Sequence, residues 1–87
     1  MVTLDAAKHS MRIDFDDDDE LIESYIDATT QMCSDILGGA VPDDEVLVDQ
    51  AIIMGTSYLY ENRETPNVRQ LKLTMRDILV DLRKGGF

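Results

Sequence analysis

At 87 residues the chain has room for one domain, residues 1–87, and a domain this small buries only about 60 to 65% of the surface its unfolded chain exposes. It is 44% apolar, too hydrophobic for a disordered segment, but with no Trp, three Tyr and two Phe its core must be built from Leu, Ile, Val and Met. A formal charge of -10, from 18 acidic against 8 basic residues, argues against a protein that grips phosphate backbones as a specific nucleic-acid binder.

Thr3 is placed to cap a short helix over 4–10, with Asp5 in its first turn favoured by the helix dipole. Residues 11–15 lead into the acidic run Asp16, Asp17, Asp18, Asp19, Glu20, which opens a second helix because carboxylates there cap orphan N–H groups and complement the dipole. Leu21, Ile22, Tyr25, Ile26, Thr29 (through its methyl), Met32, Cys33, Ile36 and Leu37 then recur at spacings of three and four, the strongest helix pattern in the chain. Gly38 and Gly39 stop it, since glycine reaches the left-handed cap conformation without a steric penalty.

Pro42, Asp43 and Asp44 start a third helix running to about Asn62, with Leu47, Val48, Ala51, Ile52, Gly55, Tyr58 and Leu59 as its stripe. Gly55 would let another backbone approach closely, and the second and third helices should pack as an antiparallel pair. Thr65, Pro66 and Asn67 break the pattern. Over 68–74 the apolar residues Val68, Leu71 and Leu73 fit neither period, so this stretch is open between helix and an extended arm. From Met75 the pattern is helical again through Ile78, Leu79 and Leu82, with Arg83 and Lys84 suiting a C-terminus and Gly85 and Gly86 ending it. The expected fold is all-α: a small bundle of about four helices, one short, two long and antiparallel, and one C-terminal.

Sites of chemistry are scarce. Asp14, Asp16 and Asp18 imitate the start of a calcium loop, but the sixth position is Asp19 where glycine is wanted and the twelfth is Tyr25 where a bidentate Glu is wanted. His9 is the lone histidine, without a second ligand at zinc spacing, and reads as a surface residue. Ser10, Ser24, Ser34 and Ser57 have no nucleophile context, and no glycine-rich phosphate loop is present. No enzyme, metal or cofactor is expected. Cys33 sits on an apolar helical face and reads as core; one cysteine allows no internal disulfide and points to a reducing compartment. No signal peptide and no run near the ~20 apolar residues needed to span a bilayer are present, so the chain is expected to be soluble, off the membrane and cytoplasmic when made.

The charges are segregated. Through Asn62 there are 15 acids and 2 bases, net -13, whereas 63–87 holds 6 bases and 3 acids, net +3. Such asymmetry suits head-to-tail self-association, and Arg63, Arg69, Arg76 and Arg83 are the candidates to meet acids of an adjacent copy. A solvated acidic surface with an incidentally basic last helix is the plain alternative.

The order of features resembles the phage head-tail connector family, the gp6-like connector or DNA-packaging proteins. The resemblance rests on the opening Val2-Thr3-Leu4-Asp5-Ala6-Ala7-Lys8, the acidic stretch from Arg12 to Asp19, the long helix of the type Leu21-Ile22-Glu23-Ser24-Tyr25-Ile26-Asp27-Ala28, the ending Leu59-Tyr60-Glu61-Asn62-Arg63, and a last helix like Ile78-Leu79-Val80-Asp81-Leu82-Arg83. The chain departs from the family's pattern in the short link between Gly38 and Pro42 and in lacking a second proline before the last helix, which bears on loop geometry and ring size. The resemblance implies a virion structural protein at the head-tail junction: a homo-oligomeric ring of about 12 or 13 copies, docked under the portal protein, extending the DNA channel and offering a surface to the next head-tail joining or tail component. DNA would pass without specific binding, since an acidic lining removes the electrostatic part of the grip; Asp16, Asp17, Asp18, Asp19 and Glu20 are the candidate channel or solvent acids. A small acidic inhibitor that mimics DNA toward a basic partner is the rival reading, and predicts a monomer or dimer.

Overall fold

The computed structural model describes residues 2–39, 41 and 45–84, with side chains described as far as residue 80. Four helices follow in chain order: α1 (Leu4–Met11), α2 (Asp19–Leu37), α3 (Val46–Glu61) and α4 (Val68–Lys84). α1 starts as its sequence dictates: Thr3 is extended and its Oγ1 accepts the Ala6 N–H at 3.1 Å. It ends at Arg12, which sits in the left-handed region at φ 59°, while the Ile13 N–H closes the last turn on the Lys8 carbonyl at 2.9 Å.

α2 begins inside the acidic run, at Asp19 and not at Asp16. Asp18 is its N-cap, but no cap hydrogen bond comes from the Asp18 side chain, so the expected capping role of that carboxylate is corrected; Asp19 and Glu20 remain in the first turn, where they complement the dipole. At the other end Gly38 adopts φ 78° and its N–H reaches the Ser34 carbonyl at 2.9 Å, the glycine stop read from the sequence. α3 opens at Val46 behind an extended Glu45, not at residue 42; Pro42, Asp43 and Asp44 lie outside the described residues, as do Gly85 and Gly86. α4 is helical from Val68 onward, which settles residues 68–74 as helix and removes the extended arm.

α2 and α3 form the antiparallel pair, since moving up α3 from Thr56 to Tyr60 moves the partner down α2 from Thr29 to Asp18. α4 packs on both, and α1 lies against α2 and α3. The core is Ile22, Ile26 and Cys33 from α2, Val48, Ala51, Ile52 and Leu59 from α3, Leu71, Met75 and Leu79 from α4, and Val2 and Ala7 from the start of the chain. Spacings of three and four on each helix produce those faces.

Where the three long helices meet, α3 carries no side chain. A Cβ at Gly55 would stand 2.7 Å from the Thr29 methyl and 3.3 Å from the Met75 sulfur, so what approaches the glycine is two side chains rather than a backbone. Thr29 and Thr56 are both fully buried; their hydroxyls lie 3.2 Å apart, and Thr29 Oγ1 also donates to the Tyr25 carbonyl at 2.9 Å, so neither oxygen is stranded.

Candidate functional site

Two charged surfaces stand out among the described residues. The first is the acidic run, which turns out to be a joint. Lys8 lays its aliphatic stem along the bundle, and its ammonium donates to Asp19 Oδ1 at 2.7 Å and Asp16 Oδ1 at 2.9 Å. Those hydrogen bonds, Asp19 first, hold the ammonium well above its usual range, and the same contact holds the Asp16 carboxyl below its own. Asp18 accepts the Tyr60 hydroxyl, which keeps that phenol protonated to higher pH, and stands 3.7 Å from Arg63 Nη1. The Arg63 guanidinium in turn lies over the Tyr60 ring, 4.7 Å from its centroid. Asp16, Asp18 and Asp19 therefore tie α1 and the end of α3 to the start of α2, while Asp17 and Glu20 are exposed.

The segment 58–63 builds the corner into α4. The Asn62 side chain and backbone both donate to the Tyr58 carbonyl, at 2.9 and 3.0 Å, and the Tyr58 hydroxyl receives the Asn67 N–H at 3.0 Å. Asn67 then caps α4 by accepting the Gln70 N–H at 3.0 Å. Leu59 is buried between these polar neighbours.

The second surface is the outer face of α4. Arg69, Lys72 and Arg76 are exposed at helical spacing, and between them Val68 and Leu73 stay 39% and 45% exposed. With Ile36 of α2 these five residues line an open groove of about 380 Å³. On the opposite sign, α2 exposes Glu20, Glu23, Asp27 and Asp35 at spacings of three, four and eight, an acidic stripe without a cation.

Of the four arginines read from the sequence as interface residues, the structure brings Arg69 and Arg76 together on this face, while Arg63 is engaged by Asp18 and Tyr60 of its own chain. The Arg83 side chain lies outside the described residues. Sequence reasoning missed Lys8, Lys72 and the groove. For Lys8 composition alone offered a hint: with 2 cations against 15 acids through Asn62, a lysine 8 residues before Asp16 is one of few possible partners for the acidic run.

The family model for phage gp6-like head-tail connector proteins matches residues 1–82. The chain belongs to that family. No curated protein and no solved structure gives a significant match. As a head-tail connector it is a structural part of a phage particle, placed where head meets tail. Within this connector the segment Leu59-Tyr60-Glu61-Asn62-Arg63, on which the sequence resemblance leaned, holds together the start of α2, the end of α3 and the approach to α4. Among the described residues no helix is long and apolar enough to cross a membrane.

Proposed function

We propose that this connector acts as one subunit of a homo-oligomeric ring of about 12 or 13 copies, seated between the portal and the next tail component and lengthening the DNA channel. The observation that carries the ring is the separation of charge on the subunit: a basic face on α4 and exposed acids in the loop before α2. Two unlike patches on one subunit complement each other between copies, and a contact of that heterologous kind closes into a ring when its rotation allows. Arg69 and Arg76 are assigned to the subunit contact, joined there by Lys72. Glu20 and the α2 acids that continue its stripe are assigned to the channel side, where like charge keeps DNA from sticking. Assembly is expected in the host cytoplasm, before the ring is built into the virion.

Light scattering of the purified protein across a concentration and salt series, alone and with purified portal, tests this reading. The expected result is a ring-sized mass that salt loosens, with rings visible by negative stain. A monomer that portal fails to capture overturns it, and a tight complex with a cationic, DNA-binding protein instead would favour the acidic inhibitor.

A further inference from the structure

Four large apolar side chains are exposed among the described residues: Phe15, Val46, Val68 and Leu73. Val46 opens α3, and Val68 and Leu73 belong to the α4 groove. Phe15 is 50% exposed in the loop between α1 and α2, in a chain that has only two phenylalanines. Its neighbours Asp14, Asp16 and Asp17 are exposed carboxylates; Asp16 is drawn to Lys8, while Asp14 and Asp17 make no ion pair among the described residues. The loop is an aromatic knob flanked by negative charge, and the groove is an apolar slot rimmed by Arg69, Lys72 and Arg76.

The two features cannot satisfy each other within one subunit. Ile36, one wall of the groove, stands roughly 25 Å along α2 from Asp19 at 1.5 Å per residue, whereas Phe15 sits just before that helix. We propose that the Phe15 loop of one copy seats in the α4 groove of the next. The ring of Phe15 rests on Ile36, Val68 and Leu73, and Asp14 and Asp17 meet Arg69, Lys72 and Arg76. Apolar contact supplies the attraction, and the charged rim sets direction, because loop against loop or groove against groove would place like charges together. This contact rests on the ring reading above and names the surfaces that make it.

Cysteine pairing tests it in the assembled protein. Phe15→Cys and Leu73→Cys are made in separate chains, one carrying a mass tag, then mixed, assembled alone or on purified portal, and oxidised. The native Cys33 is buried and is not expected to compete. Linkage between the two kinds of chain, absent when the exposed Gln50→Cys replaces Leu73→Cys, is the expected result. Adding Arg69→Glu and Arg76→Glu should abolish linkage, and Asp14→Lys with Asp17→Lys on the loop-bearing chain should restore it. Assemblies that form without this linkage overturn the contact and leave the ring reading standing; absence of assembly in both settings removes the ring reading and the contact with it.

Discussion

Lys8 shows how one side chain can decide whether a short helix is held. α1 has only 8 residues, too few to be stable alone in water, and its ammonium is the ionic tie to the run that opens α2. The Lys8 contribution is complete below its ordinary value of 10.5 and is lost as pH rises through its raised folded value. Asp16 contributes in full above 3.8 and loses its part as pH falls through its lowered folded value. The Tyr60 bond to Asp18 is complete below 10.0 and is lost on the alkaline side as well. Protection of the α1 amides, taken relative to the intrinsic exchange rate at each pH, is therefore expected to hold between those limits and to fall beyond either one. In Lys8→Met, which keeps the stem and drops the charge, α1 should exchange fast throughout and lose its acid-side dependence; an unchanged pH profile would mean that the ion pairs do not hold α1. None of this was written in the local pattern of residues 4–10, where Lys8 looks like a polar position on an amphipathic helix. The partners that define its role arrive 8 and 11 residues later, across a turn whose geometry depends on left-handed Arg12. Cys33, by contrast, was legible at once: burial on an apolar stripe pushes its thiol up to about 11, and thiol reagents should label it only when the bundle opens.

Helix α2 was legible because its buried residues Ile22, Ile26, Thr29 and Cys33 keep helical spacing without exception. α4 was only half legible, for a physical reason. Periodicity assumes that apolar means buried, and Val68 and Leu73 are apolar residues on the outside, so they blurred the stripe that Leu71, Met75 and Leu79 otherwise draw cleanly. The start of α3 was misplaced for a different reason: proline and aspartates fit a first turn, but they fit the residues before one just as well. Thr56 was overlooked because a hydroxyl reads as surface until its partner, Thr29, is known. The glycine at the crossing of the helices gives the clearest expectation at this scale. Gly55→Ala gains about 1 kcal/mol in helix propensity but forces a methyl against Thr29 and Met75, an overpacking cost of about 1–3 kcal/mol, so a net loss of up to ~2 kcal/mol is expected by urea unfolding. Combining it with Thr29→Ser, which removes the obstructing methyl, should recover most of that loss. Additive effects of the two substitutions would show that the crossing is not close-packed as described.

For the whole molecule, the charges that tie the described fold together and the cations left exposed on α4 are different groups. The ion pairs of Lys8 and Arg63 are internal, whereas Arg69, Lys72 and Arg76 have no acid within ion-pair distance among the described residues. Reversing all three to Glu should leave monomer stability within about 0.5 kcal/mol, as is usual for exposed positions, while eliminating the oligomer. Thermal melting read beside light scattering separates the two effects, and a triple variant that still assembles at physiological salt would show that α4 is not the contact surface. The family and the all-helical bundle could be read from the sequence, since segment order and periodicity carry both. The α4 groove could not, because it depends on how far α4 lies from the end of α2, a distance no local pattern encodes.

The ion pairs described above are gathered at the N-terminal end of α2. Lys8 with Asp16 and Asp19, Tyr60 and Arg63 with Asp18, all lie there, while the far end around Ile36 and Leu37 is held by apolar packing and by the Ser34 hydroxyl on the Gly39 carbonyl. Salt screens the first kind of contact and barely touches the second, so the two ends of one subunit should answer to different solvents. Raising ionic strength loosens the end that bears the Phe15 loop and leaves the groove end intact, which makes the subunit stiff at one pole and salt-tunable at the other.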